Sequence, residues 1–417
     1  MVVGKMNKKN NILETIGIFL IIFNIYFSYI KYLGFSLFLP ALFGCILLFI
    51  SKGRKFKTYT CNLKFLLILI IMLFSCVTHF TSYSFSYLIK FFIGFLILLI
   101  FENFTNEDSK RILSIFKKMS LFFAIATIVS CFTQPIYFKI VDFLYNKDIS
   151  ATIINLYNYK GFSGLAGQTG NNAFLILIGG IIVIYDLFFD NNKNKFLSII
   201  SLLIIIVSIL LTDKRMFLLL LIIVLMIYTY VYLKNKKLTK RKMMTIMIGL
   251  IVFCSFSYYA VNNFKVFSRF SDTSNMMNGR DTLALLAIHL IKENYLFGVG
   301  INNYIPASGQ SIYTHNVFLQ LTCELGVFFA AIVILIIIST LFKKTRYMFR
   351  NAKGELEIVS TFSTFVQIIF VLYFFTGNSF YDANMLYIFF MCQAFFDVYL
   401  RGEKSEENRN SYISQSN

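Results

Sequence analysis

Long uninterrupted runs of apolar residues constrain this chain more than any other feature. About 20 such residues in a helix cross a bilayer, and in lipid every backbone polar group must be satisfied within the spanning structure. Membrane barrels show alternation instead of runs. Of the 417 residues, 58% are hydrophobic and 14% are charged, whereas soluble domains carry about 25% charged residues. The sequence therefore predicts an all-α, polytopic integral membrane protein, with one membrane domain over residues 1–417.

Twelve apolar segments have the length and composition of transmembrane helices. They are Ile12–Ile30, Leu33–Ile50, Leu63–Phe80, Tyr87–Phe101, Met119–Phe132, Ala173–Phe189, Phe196–Leu211, Met216–Leu233, Met244–Val261, Phe318–Phe342, Ile358–Phe375 and Met385–Leu400.

The distribution of basic residues predicts how these segments are oriented. If the N-terminus is cytoplasmic, most of the 39 lysines and arginines fall in cytoplasmic loops, as the positive-inside rule requires. Both termini are then cytoplasmic, and the net charge of +19 indicates topology and not a nucleic-acid partner. Two long loops, 133–172 and 262–316, face outside. The polar segment 403–417 is predicted to be a disordered cytoplasmic tail.

The second long outer loop holds the densest group of candidate site residues. A short amphipathic helix is predicted to begin at Arg280, and it is too short to span the membrane. Gly298 and Gly300 indicate a turn. His315 and Asn316 stand at the start of the next span. Along that span Asn316, Gln320 and Glu324 recur every four residues, which predicts a polar stripe facing the bundle, with Glu324 in a structural or supporting role.

Two further segments contribute candidates. Lys214 and Arg215 lie in a short outer turn, where basic residues are disfavoured, so their presence indicates a bound anion such as phosphate. The alternative is that Asp213 pairs with one of them. The segment GFSGLAGQTGNNA, which contains Asn171, leads into another span. The seven cysteines show no C-x-x-C spacing, and no carboxylate cluster with metal-ligand spacing accompanies these residues, so neither a cofactor nor a metal is predicted.

These motifs, in their order along the chain, resemble a known superfamily. GLAGQTGNNA, LLTDKR, GRDTLALLAIHLIKENYLFGVGINNY and HNVFLQLTCELGV are similar to segments of O-antigen ligases and of Wzy-type O-antigen and capsular polysaccharide polymerases. The resemblance covers roughly residues 161–327. It implies an inverting, metal-independent glycosyltransferase of the bacterial cytoplasmic membrane that uses undecaprenyl-pyrophosphate-linked oligosaccharide.

The resemblance also implies roles for individual residues. Arg215 and Arg280 would hold the pyrophosphate, since guanidinium groups bind phosphate in bidentate fashion, and His315 would be the general base, because a histidine titrates near neutral pH. The predicted substrate-binding residues are Lys214, Asn316, Gly298, Gly300 and Asn171. On the predicted helix His289 lies opposite Arg280, so it is expected to pack or to face solvent.

The reaction itself stays open between two acceptors. A polymerase transfers glycan to a lipid-linked repeat unit and is the favoured interpretation, whereas a ligase transfers it to another acceptor. The contrasting class is a lipid-glycan flippase or transporter, which would place charges near the membrane midplane and show related halves. The expected partners are the lipid-linked oligosaccharide, the bilayer, a chain-length regulator and a flippase, with no nucleic acid.

Overall fold

The computed structural model describes residues 2–30, 38–52, 63–190, 192–235, 280–350 and 357–416. Every regular element in these ranges is helical. Seven helices there are long and apolar enough to cross a membrane, and four shorter apolar helices accompany them. The described part of the chain is therefore an all-α polytopic membrane protein, as predicted.

We number the helices in chain order. They are α1 (Val2–Tyr26), α2 (Leu39–Lys52), α3 (Leu63–Thr78), α4 (Ser82–Phe101), α5 (Asn106–Phe132), α6 (Gln134–Leu144), α7 (Lys147–Asn158), α8 (Thr169–Phe188), α9 (Lys195–Leu211), α10 (Arg215–Asn235), α11 (Arg280–Glu293), α12 (Tyr304–Ser308), α13 (Val317–Arg350), α14 (Ile358–Leu372), which a 3₁₀ turn extends to Phe375, and α15 (Ala383–Ser416).

The seven long and four short apolar helices coincide with eleven of the predicted spans. The twelfth, Met244–Val261, lies outside the described residues, as does the first part of the second long loop. Helix α5 starts thirteen residues before its predicted span because Thr105 caps it. The Thr105 hydroxyl accepts from the Asp108 amide at 3.2 Å, and the Asp108 carboxylate accepts from the Thr105 amide at 3.1 Å. This reciprocal cap makes a charged segment helical before the apolar run begins.

Two segments outside the predicted spans, the first long outer loop and the C-terminal tail, contain helix. The first long loop, 133–172, contains α6 and α7, which pack on each other through Tyr137, Val141 and Ile153. The predicted disordered tail continues α15 as far as Ser416. Both segments contain many polar residues. A search for apolar runs of membrane length therefore does not detect their helices.

Helix α8 lies at the centre of the bundle. It packs against α5, α9, α10 and α14, and nearly all of its side chains are buried. Gly179 permits the close approach of α5, since a Cβ there would lie 2.4 Å from the Cβ of Ser120. The Ser120 hydroxyl also donates to the carbonyl of Leu175 at 2.6 Å. This buried helix holds its N-terminal residues, Thr169 to Asn172, in a fixed position.

Helix α13 is broken at Gly326, where φ is 76° and ψ is 166°. The segment 295–300 runs beside the break and forms hydrogen bonds with it. The amides of Val299 and Gly300 donate to the carbonyls of Cys323 and Glu324 at 3.0 and 2.9 Å, and the amide of Val327 donates to the carbonyl of Tyr295 at 2.9 Å. Irregular backbone within a membrane protein is tolerated where such partners are present.

Candidate active site

Several segments meet at one end of the bundle, which we call the site end. The turn 212–214 joins α9 to α10 there, α8 and α11 begin there, and the loop 309–316 leads into α13. A Cβ built on Gly170 would lie 3.4 Å from the Tyr373 hydroxyl and 4.0 Å from the Cε atom of Lys214. His315 lies within electrostatic range of Arg280 and Lys214. Three of the predicted site residues, distant in sequence, are thus brought together.

His315 is held in an unusual backbone conformation. Its φ angle of 55° is in the left-handed region, which few residues other than glycine adopt. The residues on either side fix this turn. The Asn316 amide donates to the Thr314 hydroxyl at 3.2 Å, and that hydroxyl donates to the Asn316 carbonyl at 2.8 Å. Strain of this kind clusters at functional sites.

The imidazole of His315 is partly buried and makes no hydrogen bond to any residue that the structure describes. Burial, and then the positive charges of Arg280 and Lys214, lower its pKa to about 4. Each of these causes disfavours the protonated ring. At neutral pH the ring is therefore neutral, which is the state that can accept a proton.

Arg280 opens helix α11 and is exposed. In the described ranges its guanidinium has no hydrogen bond and no ion pair, so its donors remain available to an anion. The helix itself is anchored, because the hydroxyl of Tyr304 donates to the carbonyl of Leu283 at 2.8 Å. The side chain of His289 is 70% exposed and approaches Glu293 at 3.4 Å.

Lys214 and Arg215 follow a tight turn between α9 and α10. Asp213 in this turn also has a left-handed φ, of 57°. Lys214 is exposed and acts on His315, whereas Arg215 is the first residue of α10 and is partly buried. The electrostatic neighbours of His315 are thus Arg280 and Lys214, and Arg215 lies beside them in sequence.

Asn316 caps the helix that follows. Its side-chain oxygen accepts from the Leu319 amide at 3.1 Å, as in other N-caps. The predicted contact of Asn316 with substrate would therefore use its side-chain NH₂ group. Asn171, at the start of α8, is 1% exposed, and its Nδ2 donates to the hydroxyl of Tyr29 at 3.1 Å. Among the described residues its Oδ1 has no hydrogen-bond partner.

Gly298 and Gly300 pack closely against neighbouring backbone, and their contact with substrate stays a prediction. Both are buried against the broken helix. A Cβ on Gly298 would lie 2.3 Å from the carbonyl carbon of Glu324, and one on Gly300 would lie 2.5 Å from the Cβ of His79. Their amides donate to the carbonyls of Asn294 and Glu324. Both glycines therefore serve close backbone packing.

Glu324 is the main support of this region. It is fully buried, and one of its oxygens accepts from the Asn302 amide and the Tyr381 hydroxyl, both at 2.7 Å. The other accepts from the Tyr304 amide at 3.2 Å and from Gln320 at 3.0 Å. A buried carboxylate with four donors fixes the loop 300–304. The polar stripe of Asn316, Gln320 and Glu324, which recur every four residues in the sequence, predicted this supporting role.

One group of site-end residues was not found by sequence reasoning. Asp382, in the turn before α15, lies within electrostatic range of Tyr29, Tyr313, Tyr373 and Lys90. Burial raises the pKa of Asp382 to about 7, and the charge of Lys90 opposes that rise. These residues come from opposite ends of the chain and share no motif. Their only sequence signal is a lysine inside an apolar run.

The fold and the site together define a polytopic helical membrane protein in which a neutral histidine lies between basic side chains. Residues 199–334 match the family model Wzy_C, described as O-antigen ligase. No curated protein matches the chain. The matched segment, about a third of the chain, includes Lys214, Arg215, Arg280 and His315. It confirms the resemblance seen in the sequence motifs and supports a function in glycan transfer for a surface polysaccharide.

Proposed function

We propose that this protein is a polymerase of a bacterial surface polysaccharide. It transfers a glycan from undecaprenyl pyrophosphate to a hydroxyl group of a second, lipid-linked repeat unit. The observation that carries this proposal is the convergence of His315, Arg280 and Lys214 at one end of a membrane bundle. That arrangement supplies a proton acceptor next to an anion-binding group.

The leaving group explains the basic residues. When the bond between the anomeric carbon and the pyrophosphate oxygen breaks, negative charge accumulates on the pyrophosphate. Arg280 makes no hydrogen bond within the described ranges, so its donors can bind the pyrophosphate, and Lys214 and Arg215 add positive charge from the neighbouring turn. A transfer that is stabilised in this way is proposed to proceed without a metal.

The acceptor hydroxyl requires a base. Its oxygen attacks the anomeric carbon from the side opposite the leaving oxygen, so the configuration inverts, and its proton passes to His315. The neutral state of His315 at neutral pH suits this step. The bound pyrophosphate also compensates the two cations, which raises the basicity of the imidazole when the donor is in place.

The position of the site suits a lipid-linked substrate. Large apolar side chains cover the bundle surface, among them Phe19, Val77 and Phe328, which are 63%, 69% and 66% exposed. Such a surface faces lipid. The polyprenyl chain can stay in the bilayer while its pyrophosphate reaches the site end, which is proposed to lie outside the cytoplasmic membrane. A flippase would deliver the repeat units there, and a chain-length regulator would act on the product.

Ligation to a different acceptor is the second candidate, because the matching family is described as O-antigen ligase. The two functions share the donor and the proton transfer. They differ only in the molecule that supplies the hydroxyl group.

The purified protein in lipid nanodiscs tests the proposal. Lipid-linked repeat units are supplied as the sole substrate, and the products are resolved by length on a gel. A polymerase produces a ladder of increasing length, whereas a ligase produces none until its own acceptor is added. Arg280→Lys should fold normally and lose most activity, since lysine cannot make a bidentate contact. Full activity of Arg280→Lys, or no consumption of donor with any acceptor, would contradict the proposal.

A further inference from the structure

A second group of side chains at the site end has no role in the proposed chemistry. It consists of Asp382 with the phenols of Tyr29, Tyr313 and Tyr373, and we call it the tyrosine–carboxylate cluster. Asp382 lies within electrostatic range of each phenol. Tyr373 is also within range of Arg280. The cluster therefore adjoins the anion-binding part of the site.

The carboxylate of Asp382 has no hydrogen-bond partner among the residues that the structure describes. Its backbone is held, because its amide donates to the carbonyl of Asn378 and its carbonyl accepts from the amide of Leu386, both at 3.0 Å. Its side chain is partly buried and makes no hydrogen bond or ion pair closer than 4 Å with any described residue. The oxygens of this partly buried carboxylate can therefore accept hydrogen bonds from a ligand.

Asn171 provides an independent second observation at the edge of the cluster. It is 1% exposed, and its Oδ1 is buried without a hydrogen-bond partner in the part of the chain that the structure describes. Its Nδ2 donates to the hydroxyl of Tyr29, which in turn donates to Gln168 at 3.3 Å. This chain of donors leaves the Asn171 oxygen to accept from something else. Asn171 thus contacts the Tyr29 hydroxyl and Asp382 lies within electrostatic range of it, and among the described residues neither acceptor oxygen has a hydrogen-bond partner.

The chemistry of the cluster selects the class of ligand. A carboxylate and an amide oxygen accept hydrogen bonds, phenol hydroxyls donate or accept them, and aromatic rings offer apolar faces. An anion is disfavoured by Asp382. A neutral molecule that carries several hydroxyl groups meets all of these requirements. We propose that the tyrosine–carboxylate cluster binds the acceptor saccharide and orients its hydroxyl group toward the donor. This inference rests on the proposed glycan transfer.

The contacts of Tyr313 link this cluster to the base. Tyr313 precedes His315 by two residues, its hydroxyl donates to the side-chain oxygen of Asn302 at 3.0 Å, and its ring stacks on Tyr381 with centroids 5.5 Å apart. Tyr381 is held in turn by Glu324. A saccharide that contacts Tyr313 is therefore positioned by the same loop that carries His315.

The competing explanation is a structural charge pair. Lys90, on α4, faces Asp382 and carries the opposite charge. If Asp382 only balanced Lys90, replacement of both by neutral side chains of similar size would be tolerated, as it often is for buried ion pairs. If Asp382 binds saccharide, the paired replacement would not restore binding.

The experiment uses the full chain in nanodiscs and two probes. One probe is undecaprenyl pyrophosphate without sugar, and the other is the repeat-unit oligosaccharide without lipid. Asp382→Asn should weaken oligosaccharide binding about tenfold or more, the usual loss for hydrogen bonds to a charged group. It should leave undecaprenyl pyrophosphate affinity within about twofold, because Asp382 does not bind the anion. Asp148→Asn, an exposed aspartate on α7, is the matched control.

The double variant Lys90→Met/Asp382→Asn separates the two explanations. The proposal expects oligosaccharide binding as weak as in Asp382→Asn, with an unfolding temperature close to that of the unmodified protein. Restored binding in the double variant, or unchanged binding in Asp382→Asn, would overturn the saccharide subsite. If the unmodified protein binds neither probe and forms no product, the proposed function itself is overturned.

Discussion

At the scale of single residues, His315 combines a strained backbone with a lowered pKa. The left-handed conformation costs on the order of 1–3 kcal/mol where the surroundings impose it. Thr314 and Asn316 impose it here through the hydrogen bonds of the turn. The strained turn thus holds the imidazole within electrostatic range of Arg280 and Lys214.

Substitution of His315 tests its role as a base. We expect His315→Ala and His315→Gln to lower turnover about 10²-fold or more, because neither side chain can accept the proton. Binding of undecaprenyl pyrophosphate should persist, since the arginine and lysine side chains remain. The measurement is product length and rate in nanodiscs. His289→Gln, a change at an exposed histidine, is the control and should be fully active; near-normal polymer from His315→Gln would remove His315 from the mechanism.

The pKa of His315 can be measured without any activity. Nuclear magnetic resonance of protein labelled in its three histidines should show the His315 ring neutral as the pH falls from 7 to 5 and protonated near pH 4. The signal that disappears in His315→Gln identifies it. Lys214→Met removes one of the charges that lower this pKa, so it should move the titration toward the usual 6.5. A midpoint near 6.5 in the unmodified protein would contradict the electrostatic environment described.

These residues differ in how far the sequence could reveal them. Arg280, Lys214 and His315 stand in local motifs at helix ends, so pattern and charge were sufficient to single them out. The pairing of Gly298 and Gly300 with a broken helix could not be read from their spacing, because a turn and a backbone packing site use the same residue type. Asp382 and Tyr29 belong to no motif, and only tertiary structure brings them together.

At the scale of elements, the break in α13 depends on two close backbone approaches. A Cβ on Gly326 would lie 2.2 Å from the carbonyl oxygen of Leu296, and Gly298 is equally restricted. Gly309 also has a positive φ, of 64°, but a Cβ there would meet nothing within 4 Å. Gly309 therefore serves as a control, because a side chain there adds backbone strain without a steric clash.

We expect Gly309→Ala to cost about 1–2 kcal/mol, the penalty for a left-handed alanine. Gly326→Ala and Gly298→Ala should cost clearly more, because the added methyl group overlaps backbone atoms that cannot move aside. Thermal unfolding of the three variants in detergent measures the difference. Equal effects at Gly309 and Gly326 would mean that the segment 295–300 does not pack against the break as described.

Apolar helices were predictable because the thickness of a bilayer dictates their length. Eleven predicted spans coincide with described helices for this reason. The N-terminal extension of α5, the helices α6 and α7 and the continuation of α15 were missed because caps, local packing and helix propagation produced them, and these leave no long apolar run. Physical forces of short range thus determined the part of the fold that hydropathy does not report.

At the scale of the whole molecule, the orientation in the membrane determines whether the site meets substrate outside the cell. In a background without native cysteines, Ser311→Cys lies at the site end and Asn192→Cys lies at the opposite end, and both positions are exposed. An impermeant thiol reagent added to intact cells should label Ser311→Cys alone. Asn192→Cys should react only after the membrane is opened. The reverse pattern would place the site in the cytoplasm and contradict the positive-inside assignment.

The pairing of the segment 295–300 with the break in α13 also bears on the order in which the protein assembles. The two paired segments are separated by only about two dozen residues, and contacts that are close in sequence form early. We expect the loop that carries Tyr313 and His315 to acquire its shape when α13 enters the bilayer, before α14 and α15 are synthesised. Asp382 arrives with the last helix, so the reaction centre is completed only when the entire bundle has closed around it.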